Sequence, residues 1–405
     1  MKAFKLNITN RLTWLDLIKL ETLSNEHRVL YNNILNYVKS NKTSDFKLIN
    51  AFYRDFRNES NLTINSKSSQ NTSRSLINSI KSFFKLKQNK LNNAKFPYKF
   101  KSHKYFTSFT YDWNNGQGGF KFIDNKLVIQ SGLLSIDLNN DYFRSLNIND
   151  NTIKTITFKR ENNRYYLIFV FSEQPSNKCL DKSNFLSIDL GVTNIASCFS
   201  NVIDPFIIKN KRLNEKKVEA IQSKRDKKVK GSKTYLRLSQ IFRKEKRKIS
   251  DKNKDYQHKV SRVVVGICRD SNIGRLVIGD IKTKSCKVNY KCKLNKSTQN
   301  NGYMSRFKAF LVYKARNEGI NVELVKEHYT SQENCLTGLR EFSSSLDKRS
   351  VELRAGLTVD RDINSAVNIA KRVKQLGSVW LDHIERQVML SREMVIDEHS
   401  KLIYN

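Results

Sequence analysis

Residues that break or crosslink a fold are scarce in this chain. Its 405 residues include 3 prolines, 14 glycines and 6 scattered cysteines, against 39% hydrophobic residues. These proportions exclude a collagen-like or low-complexity chain and favour two to four ordered domains. So few cysteines, spread along a long chain, exclude a disulfide-stapled scaffold and favour free thiols.

Long hydrophobic runs are missing as well. No stretch approaches the roughly 18 consecutive apolar residues of a membrane span. The N-terminal segment MKAFKLNITNRL has no small-residue cleavage site of a signal peptide. We therefore expect no membrane partner and an intracellular location, in the cytoplasm or nucleoid, or in the nucleus if the host is eukaryotic.

Acidic residues are scarce relative to basic ones. The chain holds 38 Asp+Glu against 74 Lys+Arg, which leaves a net charge of +36. A codon bias towards lysine and asparagine would account for part of this excess, but it does not require so few acids. Because a field this positive attracts polyanions, we predict that the partner is nucleic acid.

The first half of the chain changes its periodicity near Pro97. MKAFKLNI alternates like a strand, and apolar residues then recur at helical spacing from about Thr13 to Phe56. A polar loop is predicted from Asn58 to Asn71, and a further helix from about Ser73 to Leu91. After Pro97, segments such as FKFIDNKLVIQ and YYLIFVF alternate with period two, which predicts a small, mostly antiparallel barrel or sandwich.

The second half, after a linker-like segment at 172–184, carries strands separated by basic helical segments. FLSIDLGVTNIASC (185–198) and RLVIGDIK (275–282) are typical of buried strands. Residues 209–262 between them hold 21 Lys/Arg and 6 Asp/Glu. This one-sided excess favours a phosphate-binding surface over a merely solvated helix face. Residues 376–405 are nearly charge-balanced and predict a helical or partly ordered tail.

Asp189 lies within the first of these strands. A lone ionised carboxylate on an apolar strand is costly unless it is paired or bound to metal. One interpretation is that Asp189 accepts backbone N–H groups from the turn at Gly191–Asn194. The other is that it is a metal ligand, and the strand alone does not decide between them.

Asp362 lies at the start of the helical segment DRDINSAVNIAKR and, taken alone, would be an N-cap. An aspartate on a core strand together with one at a later helix start indicates a ribonuclease-H-like metal site. Carboxylate oxygens suit hard cations such as Mg²⁺, and two ions about 3.5–4 Å apart can promote hydrolysis of a phosphodiester. A third acid is needed to share such ions.

Several motifs, in this order, resemble the TnpB family of transposon-encoded RNA-guided nucleases, which are related to type V CRISPR effectors and to Fanzor proteins. They are FPYKFKSHKYFTSFTY (96–111), SIDLGVTNIAS (187–197), the basic segments at 235–247 and 258–261, EHYTSQENC (327–335) and DRDINSAVNIAKR (360–372). The resemblance covers most of the chain. It implies that Asp189 is the first and Asp362 the last metal ligand of a RuvC site.

The resemblance implies a multidomain α+β fold, in which an N-terminal helical domain is inserted in a β-barrel and a ribonuclease-H-like (RuvC) α/β domain follows. The expected parts are a barrel at 1–10 and 92–175, helices at 11–91, a linker at 176–183, the nuclease domain at 184–330 and 358–375, a degenerate zinc-ribbon insert at 331–357 and a tail at 376–405.

The sequence departs from the family at the usual second acid. The strand LVIGDI has Gly279 where the family places a glutamate. Some members with Gly-Asp there carry the glutamate on the strand before Tyr-Thr-Ser, which here is Glu327. Glu323 shares its strand face by period two and is second choice. Asp280 is third, because its parity turns it to the other face. Glu327 could also be a surface acid at a strand end.

A second departure concerns zinc. The family has a Cys-x-x-Cys pair on each side of a hairpin, whereas here Cys335 stands alone. One thiolate cannot build a tetrahedral site, so we predict no structural zinc and an insert that is either a zinc-free hairpin or mobile. Cys286 and Cys292 in a lysine-rich loop are expected to be free thiols.

Basic and aromatic residues are interleaved between Lys81 and Lys126, where 10 lysines accompany 2 acids. Some of the aromatic rings must be core, and others could stack on bases. With the basic helix pair, this region supplies our predicted nucleic-acid contacts. They are Lys99, Lys101, Lys104, Lys233, Tyr235, Arg243, Arg247, His258 and Lys259.

The resemblance implies an Mg²⁺-dependent, RNA-guided DNA endonuclease with catalytic residues Asp189, Glu327 and Asp362. Its expected partners are a guide RNA from the transposon end and double-stranded target DNA with a short flanking motif, bound by a monomer. Gly279 and the missing ribbon cysteines keep open a second hypothesis, a nuclease-inactive RNA-guided repressor. A third is a general RNA-binding protein with a relic nuclease core.

Overall fold

The computed structural model of the chain divides into two compact units, residues 1–173 and 174–405. The structure describes residues 2–89, 94–97, 99–113, 119–123, 125–138, 153–161, 163–172, 179–211, 213, 215–280, 303–343, 349–373, 384, 388, 392–396 and 402–404. No helix within these ranges is both long and apolar enough to cross a membrane.

Three capped helices form one layer of unit 1. They are α1 (Trp14–Ser40), α2 (Phe46–Glu59) and α3 (Ser66–Gln88). Thr13 and Asp16 form a capping box at the start of α1, and Asp45 caps α2. Asn65 caps α3 well before the predicted start near Ser73. The first turns of α3 bury serine and threonine rather than apolar residues, so hydrophobic periodicity could not reveal them.

The strands of unit 1 form two antiparallel sheets. A four-stranded sheet has the order β1-β7-β6-β2 and a three-stranded sheet the order β3-β4-β5. Their bounds are β1 Lys2–Asn7, β2 Phe109–Asp112, β3 Phe120–Ile123, β4 Lys126–Ile129, β5 Leu134–Asp137, β6 Ile153–Glu161 and β7 Arg164–Phe171. Short 3-10 turns occupy Thr9–Arg11 and Gln130–Gly132. Strands and helices share one hydrophobic core, and the pairing of β1 with β7 ties the N-terminus to the later strands.

His27 links the helices of unit 1 to its larger sheet. The ring is fully buried, its Nδ1 lies 2.7 Å from Thr72 Oγ1, and its Nε2 lies 3.0 Å from Ser68 Oγ. The ring also stacks on Phe109 of β2, with 4.9 Å between ring centres. Burial, helped by the charge of Lys101, lowers the pKa of His27 to about 3. The ring is therefore neutral in the folded protein near pH 7.

Unit 2 is built on one seven-stranded sheet with the order β12-β11-β8-β9-β10-β15-β16. The strands are β8 Asp181–Asp189, β9 Asn194–Ser200, β10 Phe206–Lys209, β11 Ile273–Gly279, β12 Asn321–Val325, β15 Arg392–Ile396 and β16 Leu402–Tyr404, with a separate hairpin of β13 Ser350–Arg354 and β14 Leu357–Asp360. The helices are α4 Lys216–Asp226, α5 Lys233–Asp270, α6 Tyr303–Asn317 and α7 Arg361–Lys371.

Helices cover both faces of this sheet. Leu186 and Ile188 of β8 share a core with α5 and α6, whereas Phe185 on the opposite face packs with α7. Successive side chains of a strand point to opposite faces, so odd-numbered residues at the end of β8 face α7. Asp189 continues that row. Strands β8, β11 and β12 are parallel, and their carboxyl ends therefore meet at one edge of the sheet.

The C-terminal segment differs from the predicted tail. Residues 392–396 form β15, which pairs in parallel with β10 and extends the sheet, and β16 pairs with β15. Ile384 and Val388 are helical and buried in the core that contains α7. The nearly balanced charge of this segment gave no indication of a strand. A strand this short also gives little periodic signal. Strand β8 likewise begins at Asp181, within the predicted linker 176–183.

The acid stability of unit 1 tests the role of His27. Folding favours the neutral ring, because the pKa falls from 6.5 to about 3 in the folded state. This stabilisation is complete above pH 6.5 and is lost as pH falls towards 3, by at most about 1.4 kcal/mol per pH unit. We expect the protection of α1 amides from hydrogen exchange, compared at matched pH, to depend less on pH in His27→Gln. The control is His103→Gln, at an exposed site; equal pH dependence in all three proteins would contradict the assignment.

Candidate metal centre

Three elements of unit 2 carry the predicted carboxylates. Asp189 ends β8, Glu327 lies two residues beyond the end of β12, and Asp362 is in the first turn of α7. The edge of the sheet where the parallel strands end thus brings the first two towards each other. Asp189 is partly accessible to solvent, although protein atoms surround it densely.

The carboxylate of Glu327 occupies space beside Gly279. A Cβ built on Gly279 would lie 2.0 Å from Glu327 Oε2 and 3.0 Å from Ile369 Cδ1. Residue 279 is the strand neighbour of Asp189, since the preceding residues Ile278 and Ile188 are paired. Glu327 therefore places its oxygen where a side chain of residue 279 would begin, on the α7 face of the sheet. Only glycine at 279 leaves that space open.

Asp362 is not the cap of α7. The cap is Asp360, whose Oδ1 accepts the backbone N–H of Asp362 at 2.7 Å. The carboxylate of Asp362 is therefore available for other contacts. Its Oδ2 accepts a hydrogen bond from Asn194 Nδ2 at 2.8 Å and lies 3.8 Å from Arg349 Nη1. The N-terminus of α7 adds a favourable dipole for this negative charge.

Burial and mutual repulsion govern the charge of the acids. Burial, followed by the charge of Asp362, raises the pKa of Asp189, and burial, followed by the charges of Asp189 and Asp280, raises that of Glu327. The three acids are thus electrostatic neighbours. A divalent cation would favour their ionised forms, and its binding would release protons.

The donor set fits a hard cation. Glu327 Oε2 is buried and has no hydrogen-bond partner, which is costly unless a cation or a donor engages it. All three side chains offer carboxylate oxygens, the ligands that Mg²⁺ prefers. Across the residues that the structure describes, no three His, Cys, Asp or Glu side chains already converge on one point. Asp362 in particular is turned to Asn194.

The two other candidate acids have different partners. Asp280 accepts a hydrogen bond from Lys308 of α6, a helix on the face of the sheet opposite α7. Glu323 lies 3.4 Å from Arg275 Nε in an ion pair between β12 and β11. Both carboxylates contact a basic side chain, whereas Glu327 Oε2 lies beside Gly279, so Glu327 stays the predicted third ligand.

The insert at 331–357 contains a hairpin and a hydrogen-bonded turn. Asn334 Nδ2 donates to Glu341 Oε2 at 2.6 Å and to the Leu353 carbonyl at 2.9 Å, and Asn334 Oδ1 accepts from the Leu336 N–H. Cys335 is buried in the core with α7, its N–H donates to Asn364 Oδ1 at 2.8 Å, and burial raises the pKa of its thiol to about 12.

These residues do not fit a structural zinc. Cys335 is the only cysteine between residues 331 and 357, and its thiol is held protonated by burial, whereas zinc binds thiolate. Packing and the Asn334 network hold this segment instead. Cys286 and Cys292 lie outside the described residues; the four cysteines within them, Cys179, Cys198, Cys268 and Cys335, are free thiols.

The predicted nucleic-acid residues fall into two groups. Lys99, Lys104, Lys233 and Arg243 are exposed and available to phosphate. The others contact protein groups. Lys101 lies over the Tyr31 ring, Tyr235 lies near Arg225, Arg247 is 3.7 Å from Asp251, Lys259 is 3.3 Å from Asp255, and His258 stacks on Phe310 with 3.8 Å between ring centres.

One of these residues is poorly suited to bind phosphate by charge. Burial, helped by the charges of Lys314 and Lys254, lowers the pKa of His258 to about 4, so its ring is neutral near pH 7. Burial lowers the pKa of Lys101 to about 8, so its ammonium group stays mostly charged near pH 7. The His258 ring instead contributes to packing, which a count of basic residues cannot distinguish from a surface role.

Sequence reasoning missed two side chains that contact Asp362. They are those of Asn194 and Arg349. Asn194 stands in the quoted motif GVTNIAS, five residues after Asp189, and that short spacing was an available signal. Arg349 lies in the insert, and no sequence pattern connects it to the site. Its Nη2 also donates to Thr193 Oγ1 at 3.0 Å, beside Asn194.

Family models match two parts of the chain that contain these acids. A model described as "Probable transposase" matches residues 169–285, which include Asp189 and Gly279. A model described as "Cas12f1-like, TNB domain" matches residues 305–369, which include Glu327 and Asp362.

Curated relatives match about half of the chain. TnpB-like protein MJ0751 of Methanocaldococcus jannaschii is 29% identical over 221 residues, covering 50% of this chain and 75% of the relative. The Escherichia coli K12 protein named "Putative RNA-guided DNA endonuclease InsQ" is 23% identical over 227 residues, covering 54% of this chain and 56% of the relative.

A solved structure shares the fold over most of the chain. The cryo-EM structure of a Cas12f1-sgRNA-target DNA complex matches with a TM-score of 0.58 and 14% sequence identity, covering 89% of this chain and 83% of that chain. At this identity the likeness establishes a related multidomain α+β fold.

The stability of the insert tests its independence of zinc. With Mg²⁺ kept in large excess, we expect a zinc-selective chelator to leave the thermal unfolding midpoint unchanged and unfolding to release no zinc to a colorimetric chelator. Cys335→Ala should cost only about 1 kcal/mol of unfolding free energy, as expected for a small buried side chain. Asn334→Ala should cost about 1–3 kcal/mol, since its buried partners lose their hydrogen bonds. Unfolding of the insert by the zinc-selective chelator would contradict this account.

A carboxylate exchange tests the relation between Gly279 and Glu327. Gly279→Ala should displace Glu327, because the added Cβ overlaps Oε2, and should weaken Mn²⁺ binding at least about tenfold. Glu327→Ala should weaken binding similarly. The double variant Gly279→Glu with Glu327→Ala returns a carboxylate to the strand next to Asp189 and should recover most of the affinity. Equal Mn²⁺ affinity in all variants, measured by electron paramagnetic resonance, would remove Glu327 from the site.

Proposed function

We propose that this chain, which belongs to the TnpB family, is an RNA-guided DNA endonuclease of transposon origin that hydrolyses phosphodiesters at Asp189, Glu327 and Asp362. The observation that carries the proposal is the carboxylate of Glu327, which fills the space beside Gly279 next to Asp189. Its Oε2 is buried and has no hydrogen-bond partner among the described residues, which does not fit a surface acid, because a surface carboxylate is hydrated.

Mg²⁺ bound by these carboxylates would supply charge stabilisation for the phosphoryl oxygens and lower the pKa of a water molecule. The chain's own part is to hold the acids. Strand β8 fixes Asp189 in the sheet, Asp360 caps α7 so that Asp362 is available, and the dense surroundings strengthen every electrostatic interaction in the site. Arg349 and Arg361, each with a guanidinium nitrogen 3.8 Å from an Asp362 oxygen, offset part of the negative charge.

The proposed partners are a guide RNA and double-stranded target DNA. Support comes from the fold shared with a protein solved with single guide RNA and target DNA, and from the net charge of +36. The exposed Lys233 and Arg243 of α5 are suitable for phosphate contacts in unit 2, as are Lys99 and Lys104 in unit 1. Pairing with the guide would supply sequence specificity, whereas these side chains would hold the nucleic-acid backbone.

A second candidate function is RNA-guided DNA binding without cleavage. It is favoured by the absence, within the described ranges, of three acids converging on one point. In this alternative the acids are a relic, and binding alone would repress transcription.

Cleavage by the reconstituted ribonucleoprotein separates the two functions. With Mg²⁺ and matched DNA we expect cutting by the unmodified protein and at least a thousandfold slower cutting by Asp189→Ala and Glu327→Gln, because each removes a ligand that stabilises developing charge. DNA binding should stay within about twofold in these variants. Glu323→Gln, on β12 four residues before Glu327 and paired with Arg275, is the control and should cut normally.

Two outcomes would contradict the proposal. Tight, guide-dependent DNA binding by the unmodified protein without any cutting would favour the repressor. Cutting by Glu327→Gln at the normal rate would show that the third ligand lies elsewhere.

A further inference from the structure

Asn194 is a buried polar residue at the start of β9. Its side chain is only 3% exposed, and it follows the turn that begins at Gly191. This turn brings the chain from the end of β8, where Asp189 lies, back into the sheet. Asn194 therefore follows Asp189 by one short turn and contacts Asp362, another proposed metal ligand.

The amide of Asn194 has a fixed orientation. Its Nδ2 donates to Asp362 Oδ2 at 2.8 Å. An ionised carboxylate only accepts hydrogen bonds, so the NH₂ end must face Asp362 and Oδ1 must point away from that oxygen. The contact restrains the Asp362 carboxylate on the side of the site that adjoins β9.

The other end of the amide lacks a donor among the described residues. There, Asn194 Oδ1 is buried and without a hydrogen-bond partner, as is Glu327 Oε2. Leaving such an acceptor unsatisfied costs about 1–3 kcal/mol, so a buried amide kept in this state needs a reason. A turn-holding role does not supply one. The turn is held by Asn210, whose Nδ2 donates to the Val192 carbonyl at 2.9 Å and whose N–H donates to the Thr193 carbonyl.

We propose that Asn194 is a positioning residue of the metal centre. Its Nδ2 orients the Asp362 carboxylate for the cation, and this contact is the reason for keeping a buried amide whose Oδ1 is unsatisfied. This inference rests on the proposed function, since it assigns Asn194 to the same centre as Asp189, Glu327 and Asp362. Partners that orient metal ligands typically contribute 10–100-fold to metal affinity.

Mn²⁺ affinity tests the proposal without requiring catalysis. The full-length chain, stripped of nucleic acid because phosphates also bind Mn²⁺, is titrated and free Mn²⁺ is followed by electron paramagnetic resonance. We expect Asn194→Leu, which keeps the shape but removes both polar ends, to bind Mn²⁺ at least about tenfold more weakly. Asn210→Leu, which perturbs the same turn without touching Asp362, is the matched control and should bind as the unmodified protein does.

The outcomes distinguish this inference from the proposed function. If the unmodified protein binds Mn²⁺ and Asp189→Ala does not, while Asn194→Leu binds within twofold of normal, the inference alone is overturned. If Asp189→Ala and Asp362→Ala also bind normally, the metal centre itself is overturned. Asn194→Ala is measured in parallel; loss of folding in both Asn194 variants, judged by circular dichroism, would show a structural role and overturn the proposal.

Discussion

The structure of unit 2 depends on the cost of placing carboxylates close together inside protein. Asp189 and Glu327 repel each other where water is scarce, and burial alone already disfavours their charge. A cation bound by these carboxylates, as we propose, would offset this cost. The parallel strands β8, β11 and β12 end at one edge of the sheet, and α7 begins beside it, so the acids need no long loops to meet.

Gly279 and Glu327 share one position in space. Gly279 has no side chain, and the space beside it holds a carboxylate oxygen of Glu327, which follows β12. Under the proposed function, Glu327 takes the place of the glutamate that the TnpB family carries at residue 279. Each residue requires the other, because any side chain at 279 would collide with Glu327 and loss of Glu327 would leave a cavity beside Asp189. A metal needs an oxygen at a point in space, whichever strand delivers it. The insert also lacks residues that the TnpB family has, namely the zinc ligands. Hydrogen bonds of Asn334 and the buried Cys335 side chain hold this segment instead.

The sequence predicted much of this arrangement and failed where local pattern carries little information. Strands with period-two alternation and the long apolar-periodic helices were identified, as was the parity that turns Asp280 away from Asp189. The start of α3 was missed because its buried face is serine and threonine, and β15 was missed because a strand of five residues has no distinctive period. His258 matched a basic motif, yet its neutral ring packs on Phe310. Asn194 was overlooked because its partner, Asp362, is 168 residues away.

Anomalous scattering from a manganese-soaked crystal would test the central claim most directly. The account predicts an anomalous peak within coordination distance, about 2.0–2.3 Å, of oxygens from Asp189 and Glu327, with Asp362 engaging the same ion or its neighbour. It also predicts that Glu327 reaches the ion across the space left by Gly279. A peak coordinated without Glu327, or a crystal in which manganese binds elsewhere while these three carboxylates stay unoccupied, would contradict the account.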